Sequence, residues 1–169
     1  MLTVLFSLAA SVLLISADQL IKWWARTFLA SAQPIWLVDG VFQLTYVENR
    51  GAAWGLFQGQ RWPLLIVTGI VLVLLLCYLV VGKATHPLEI TALTLLFSGG
   101  VGNLIDRLFL GFVTDYFYYV PIDFPVFNLA DICVVTGTGL LCLYWVIGAV
   151  RQQREKAAET KENTDEQED

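Results

Sequence analysis

Charge is what this sequence has least of. Of its 169 residues only 15% are Asp, Glu, Lys or Arg, while 57% are hydrophobic, and mean hydropathy is +0.65. The shortage is concentrated: residues 151–169 hold four bases and seven acids, leaving six bases and eight acids for the first 150 positions. A soluble domain averages roughly 25% charged residues, so residues 1–150 lack the polar surface to face water. That excludes a soluble globular enzyme, a disordered chain and a nucleic-acid-binding module. A net charge of −5 without any basic cluster excludes nucleic acid a second time. Histidine is nearly absent. His86 stands alone in a short connector from Gly82 to Pro87, so a histidine-ligated metal site or a Ser-His-Asp triad has no material. Cysteine is scarce and odd in number. Cys77, Cys133 and Cys142 lie inside apolar runs without CxxC spacing, which reads as small buried hydrophobes and not as a disulfide or metal site.

Long apolar runs take the place of charge. A hydrocarbon core about 30 Å thick needs roughly 20 apolar residues as helix, and four stretches qualify, at about 2–24, 62–81, 88–108 and 127–150. The expected fold is an all-α membrane protein of four transmembrane helices. The Met1–Ser16 run lacks a positive n-region and is read as a retained helix, not a cleaved signal. Residues 1–150 form one membrane domain, and 151–169 are expected to be a disordered cytoplasmic tail. Four spans put both termini on one side. Arg151, Arg154 and Lys156 cluster directly after the fourth span, which favours cytoplasmic termini. The first loop, 25–61, is then extracytoplasmic. Within it Phe42, Leu44 and Tyr46 alternate with Gln43 and Thr45, between Gly40 and Gly51. That two-residue period predicts a small β-element lying on the membrane surface, followed by a short amphipathic piece around Trp54–Phe57.

In either orientation one membrane face collects nearly every polar residue of the domain: Asp18, Lys22, Asn49, Arg50, Asn103, Asp106, Arg107, Asp115, Asn128 and Asp131. The opposite face offers Lys83, His86 and Glu89. An ionisable residue in a span costs several kcal/mol, so each needs a reason. Asp18 and Lys22 have the spacing of a helical ion pair. Asp106 and Arg107 end the third span beside Gly99, Gly100 and Gly102, where small residues let helices approach. Structure explains both pairs. Asp131 follows Asn128, a plausible N-cap, and an acid suits a first helical turn. Asp115 has no such account. The connector between Asp115 and Asp131 leaves and returns on one face, so the two carboxyls can meet. Arg107 is the nearest base, with Asp106 competing for it. Two carboxyls in a poorly hydrated pocket share a proton and can activate water for peptide hydrolysis. Spacing alone leaves proton relay and cation binding open.

Five segments in order resemble the lipoprotein signal peptidase family, also called signal peptidase II. They are Asp18-Gln19-Leu20-Ile21-Lys22; Asn49-Arg50-Gly51-Ala52-Ala53-Trp54; Gly99 through Arg107 (GGVGNLIDR); Val113-Thr114-Asp115-Tyr116; and Phe127-Asn128-Leu129-Ala130-Asp131. The resemblance covers almost all of residues 1–150. It implies an aspartic endopeptidase of the bacterial inner membrane, with four spans, a surface β-element, and its site on the extracytoplasmic side. It implies Asp115 and Asp131 as the catalytic dyad. Asn49, Gly51, Asn103, Arg107, Asn128 and Ala130 would line or shape the site, supported by Asp18, Lys22 and Asp106. The implied substrates are prolipoproteins, cut before a cysteine that already carries diacylglycerol. Membrane lipid and cyclic peptide antibiotic inhibitors are implied partners, and no cofactor or metal is implied. Tyr116 stands where phenylalanine is commonest, and Ile132 where a small hydroxyl residue is frequent; neither is expected to touch the chemistry. Asp123, beside Pro121 and Pro125, reads as a turn residue.

Three rival readings remain. A small proton-coupled transporter would use Asp115 and Asp131 as proton sites, but transporters place such groups near the midplane and show internal repeats, which are not seen here. A non-catalytic scaffold leaves the two aspartates unexplained. A serine–lysine peptidase would need Lys22 and Ser98, yet Asp18 holds Lys22 at ion-pair spacing.

Overall fold

The computed structural model describes residues 2–51, 57–82 and 84–168, the stretch 159–168 as backbone alone. Among these, four helices are long and apolar enough to cross a membrane. They are α1 (Leu2–Trp24), α2 (Arg61–Val80), α3 (Pro87–Phe109) and α4 (Leu129–Glu168). At 1.5 Å per residue, the 20 residues of α2 rise about 30 Å, the thickness of the hydrocarbon core. The start of α3 is set locally. Pro87 occupies its first turn, and the His86 ring accepts the Leu88 N–H at 3.2 Å, a side-chain cap.

Two helices run further than their sequence suggests. A single π turn, Ala25–Leu29, extends α1, closed by the Ala30 N–H on the Ala25 carbonyl at 3.0 Å. The fourth helix begins at Leu129, not Phe127, and continues through the charged segment to Glu168. Its composition explains this: Glu, Lys, Arg, Gln and Ala are strong helix formers. Arg151 and Glu155 also pair at 3.0 Å with helical spacing. The high charge that reads as a disordered tail does nothing to break a helix.

The molecule is apolar outside and polar within. Leu5, Leu13, Ile66, Ile70, Val73 and Trp145 are exposed on the helix faces, while Asp18, Lys22, Asn103, Asp106, Asp115 and Asn128 are buried. Cys77 and Cys142 also face outward and only Cys133 is buried. This corrects the expectation that all three are internal; in lipid an outward small hydrophobe costs nothing. The least apolar and most buried span is α3, on which the other three helices pack. It meets α4 with almost no gap. A Cβ on Gly99 would strike the Ala130 carbonyl oxygen and lie 2.8 Å from Val134 Cγ2. At the opposite end Glu89 is buried and accepts the Tyr78 hydroxyl at 2.8 Å.

Three antiparallel strands, ordered β1 (Ile35–Val38), β2 (Phe42–Asn49) and β3 (Val113–Tyr119), sit beyond the helix ends. The alternating segment forms β2, although its residues are half-buried on both faces at first and not alternately. Only β1 and β2 belong to the first loop; β3 comes from the connector between α3 and α4. The register pairs Leu44 with Phe117, then Val47 with Asp115 and Asn49 with Val113. Three steps on β2 thus match two on β3, a bulge near Thr45 that re-aims the strand end. The sheet packs on the end of α1 through Tyr116, buried with Ala25 and Leu29. The amphipathic piece anticipated around Trp54–Phe57 falls largely on residues 52–56, outside the described residues.

Candidate active site

Asp115 reaches the site from β3 and Asp131 from the first turn of α4. One side chain joins them. Asn128 caps α4, its Oδ1 accepting the Asp131 N–H at 2.9 Å, while Asp131 Oδ2 accepts the Asn128 N–H at 3.1 Å. This is a reciprocal capping box in the sense of two orphan donors satisfied by each other's residue. The other end of the same amide, Nδ2, donates to Asp115 Oδ1 at 2.6 Å. The N-cap role expected of Asn128 is therefore also what holds Asp115 beside the helix.

Two further amides complete the holding. Asn49 Nδ2 donates to Asp115 Oδ2 at 3.0 Å. Val47 is the cross-strand partner of Asp115, so Asn49, two residues on, lies on the same face and diagonal to it. Asn103 Nδ2 donates to Asp131 Oδ1 at 2.7 Å. The Asn103 oxygen faces the other way and accepts from Asn128 Nδ2 at 3.1 Å and from the Lys22 ammonium at 2.8 Å. With two donors on its oxygen, the amide has only one orientation in which every group is satisfied. Each oxygen of Asp115 and Asp131 thus receives one N–H, and no ion pair to either carboxylate occurs among the described residues.

Lys22 is fully buried; its ammonium donates to Asn103 and forms ion pairs with Asp18 at 2.9 Å and Asp106 at 3.4 Å. Asp18 Oδ1 reaches the Ala130 N–H of α4 at 3.0 Å. Asp106 accepts the Thr114 N–H of β3 at 2.9 Å and faces Arg26 at 3.7 Å. These supports sit close enough that a Cβ on Gly102 would lie 2.6 Å from Asp18 Oδ2. Arg107 does not pair with Asp106, contrary to the competition suggested by their adjacency. It donates to the Gly51 carbonyl at 2.9 Å, and Gly51 N–H in turn donates to Asn49 Oδ1 at 3.0 Å. Sequence reading missed Gln19, which bridges Asp18, Asp106 and the Gly102 carbonyl. It also missed Arg26 and Thr114, bonded at 2.9 Å. Arg26 carried a signal: it continues the four-residue spacing of Asp18 and Lys22. Asp123 takes a left-handed turn position and accepts the Tyr118 hydroxyl, apart from the cleft.

Asp115, Asp131, Asn49, Asn103 and Arg107 line a cleft of about 440 Å³, walled by Val113, Val126, Val134 and Val135. A second, apolar cleft of about 320 Å³ between α2 and α3 also reaches Asp131. Burial, followed by the charge of Asp131, pushes the Asp115 carboxyl up to about 7; its two amide donors act against this. The arrangement offers one carboxyl whose raised pKa lies near neutrality beside a second on the same scaffold, in a cleft with apolar walls. Among the described residues no group of three or more His, Cys, Asp or Glu is placed to hold a metal ion.

The family model described as "Signal peptidase (SPase) II" matches residues 10–147. The lipoprotein signal peptidase of Clostridioides difficile is 47% identical over 133 residues, covering 79% of this chain and 89% of that protein. The lipoprotein signal peptidase of Symbiobacterium thermophilum is 39% identical over 145 residues, covering 85% and 95%. A solved bacterial membrane enzyme superposes with a TM-score of 0.80 at 28% identity, covering 85% of this chain and 89% of the other.

Proposed function

The chain belongs to the signal peptidase II family, and from that premise we propose that it is an aspartic endopeptidase whose catalytic pair is Asp115 and Asp131. It is a multi-pass bacterial membrane protein and a peptidase that removes signal peptides from prolipoproteins. The transporter alternative has no support beside that membership. The observation that carries the dyad is the Asn128 side chain, which binds Asp115 with one end and caps the helix of Asp131 with the other.

In the proposed reaction Asp115 carries the shared proton, consistent with its raised pKa, and the Asp131 carboxylate takes a proton from water as it attacks the scissile carbonyl. Asp115 protonates the carbonyl oxygen. Collapse of the tetrahedral diol breaks the C–N bond: the proton gained by Asp131 passes to the leaving nitrogen and one diol hydroxyl proton returns to Asp115, which restores both groups. Asn49, Asn103 and Asn128 fix the carboxylate planes, Arg107 and Gly51 shape the cleft rim, and Ala130 lends its N–H to Asp18. Asp18, Lys22 and Asp106 hold α1, α3, α4 and β3 together beneath the site. A diacylglyceryl group on the substrate cysteine fixes its depth at the leaflet surface, which supplies positioning; the apolar second cleft suits such a chain. The same opening would admit the cyclic peptide antibiotics that the resemblance implies as inhibitors.

The test is cleavage of a diacylglyceryl-modified prolipoprotein by purified protein in detergent. Wild type should cut before the lipidated cysteine. Asp115→Asn and Asp131→Asn, each shown to be folded by a cooperative thermal melt, should lose at least about a thousandfold in kcat. Wild-type turnover in either folded variant removes that residue from the dyad.

A further inference from the structure

Successive strand residues point to opposite faces. Where Asp115 turns toward the cleft, Tyr116 turns inward and is 1% exposed, against Ala25 and Leu29. A phenol at that depth needs a partner for its hydroxyl. Its oxygen accepts the Leu129 N–H at 3.1 Å. Leu129 is the first residue of α4, and the first N–H groups of a helix have no partner inside it. Here every one is met from outside the ladder: Asn128 N–H by Asp131, Leu129 N–H by Tyr116, Ala130 N–H by Asp18 and Asp131 N–H by Asn128. Asp18 ties this end of α4 to α1. Tyr116 ties it to β3, one residue from Asp115 and at the residue following Asn128. The sequence reading gave Tyr116 no part in the chemistry because its aromatic body fits a phenylalanine position; the hydroxyl is what the structure adds.

We infer that Tyr116 is a positioning residue for the cleavage reaction: by accepting the Leu129 N–H it fixes the distance between the strand that carries Asp115 and the helix that carries Asp131. The inference rests on the dyad reading. The hydroxyl faces Asp18 of α1, Asp131 of α4 and Asp115 of its own strand, and burial with these charges raises its pKa, so it stays protonated throughout the working range. Asp115 is faced by the charges of Asp131, Lys22 and Arg107 and by the amides of Asn49 and Asn128. Without the phenol cap the first turn of α4 keeps its ties to β3 through Asn128 and the Phe127 backbone but loses the one at Leu129, and the contact loosens there. Water then reaches Asp115 more easily and Asp131 acts less on it, the two causes that raise its pKa, while the Asn128 bond stays; the pH at which Asp115 loses its proton falls.

Steady-state cleavage of a diacylglyceryl-modified prolipoprotein by the full chain in detergent tests this, with Tyr116→Phe, Leu129→Pro and the double variant. Proline is tolerated at the first helical position, so Leu129→Pro removes the N–H itself. Tyr116→Phe should lower kcat on the order of tenfold with KM unchanged and move the alkaline limb of the kcat profile to lower pH. In the Leu129→Pro background the same change should cost nothing more. Tyr118→Phe, which removes an exposed phenol from the same strand, should match wild type. A Tyr116→Phe enzyme with wild-type kcat and alkaline limb overturns the inference, even if its melting temperature drops. So does a full Tyr116→Phe effect in the Leu129→Pro background. The dyad reading fails separately, through activity of the Asp115→Asn or Asp131→Asn variants.

Discussion

Four aspartates sit within the same polar interior, and what each one faces separates their roles. Asp18 and Asp106 share the Lys22 ammonium, and breaking a buried pair of this kind costs several kcal/mol because it strands a charge. Asp115 faces amides and another carboxylate, and its pKa rises from 3.8 to about 7. That rise has a consequence for stability independent of catalysis. Between about pH 4 and 7 the folded state holds a proton at Asp115 that the unfolded chain has released, so stability falls as pH rises through this window and levels off above it. Asparagine cannot ionise, so Asp115→Asn should lose much of that slope. Its stability relative to wild type should rise by about 2–4 kcal/mol between pH 5 and pH 8. Thermal melts in detergent at pH 5, 6, 7 and 8 check this; parallel curves for the two proteins would mean that Asp115 titrates normally.

At the scale of elements, the junction of α3 with α4 sets the cleft because α4 begins with Asp131 in its first turn. Gly99 meets the Ala130 carbonyl, which is backbone and cannot swing aside, whereas Gly139 on α4 has nothing within 4 Å of its missing Cβ. Gly99→Ala should therefore cost about 1–3 kcal/mol through overpacking and reduce cleavage by displacing Ala130 and Asp131. Gly139→Ala should be neutral or stabilising by up to about 1 kcal/mol through helix propensity. Melting temperatures and turnover of the two variants decide it, and equal behaviour would refute the close approach. The elements differ in how far they could be read beforehand. The spans were legible because twenty apolar residues have few other uses, and β2 because Phe42, Leu44 and Tyr46 alternate. The strand β3 was not, since Val113-Thr114-Asp115-Tyr116 is buried on both faces and its mixed residues show no period. Asn128 was legible as a cap, yet its second bond to Asp115 depends on the register between β3 and α4, which no local pattern encodes. Tyr116 and Gln19 stayed hidden for the same reason: each acts across elements through one polar atom on a side chain whose bulk looks like packing.

At the scale of the whole molecule, lipid replaces water as the solvent of the outer surface, so the usual ordering of residues is turned inside out. The sheet and the paired and unpaired carboxylates gather at one end; the other end has the Glu89–Tyr78 bond and the His86 cap. An inhomogeneous protein of this kind has a defined orientation, and bases next to the spans set it. Arg151, Arg154 and Lys156 follow the fourth span on an unbroken helix, and an anionic cytoplasmic leaflet would attract them. At the opposite end Arg26 faces Asp106 and Arg50 pairs with Glu48, which offsets two of the four bases there, while Arg61 and Arg107 bond the Leu108 and Gly51 carbonyls. The C-terminus should therefore be cytoplasmic and the cleft extracytoplasmic. A green fluorescent reporter fused after Asp169 should light up and an alkaline phosphatase reporter at the same place should stay inactive. A thiol introduced by Trp36→Cys on the exposed strand β1, in a background without Cys77, Cys133 and Cys142, should react with an impermeant reagent added outside intact spheroplasts. Active phosphatase at the C-terminus, with a residue-36 thiol labelled only after the membrane is opened, would reverse the orientation and put the cleft on the cytoplasmic side.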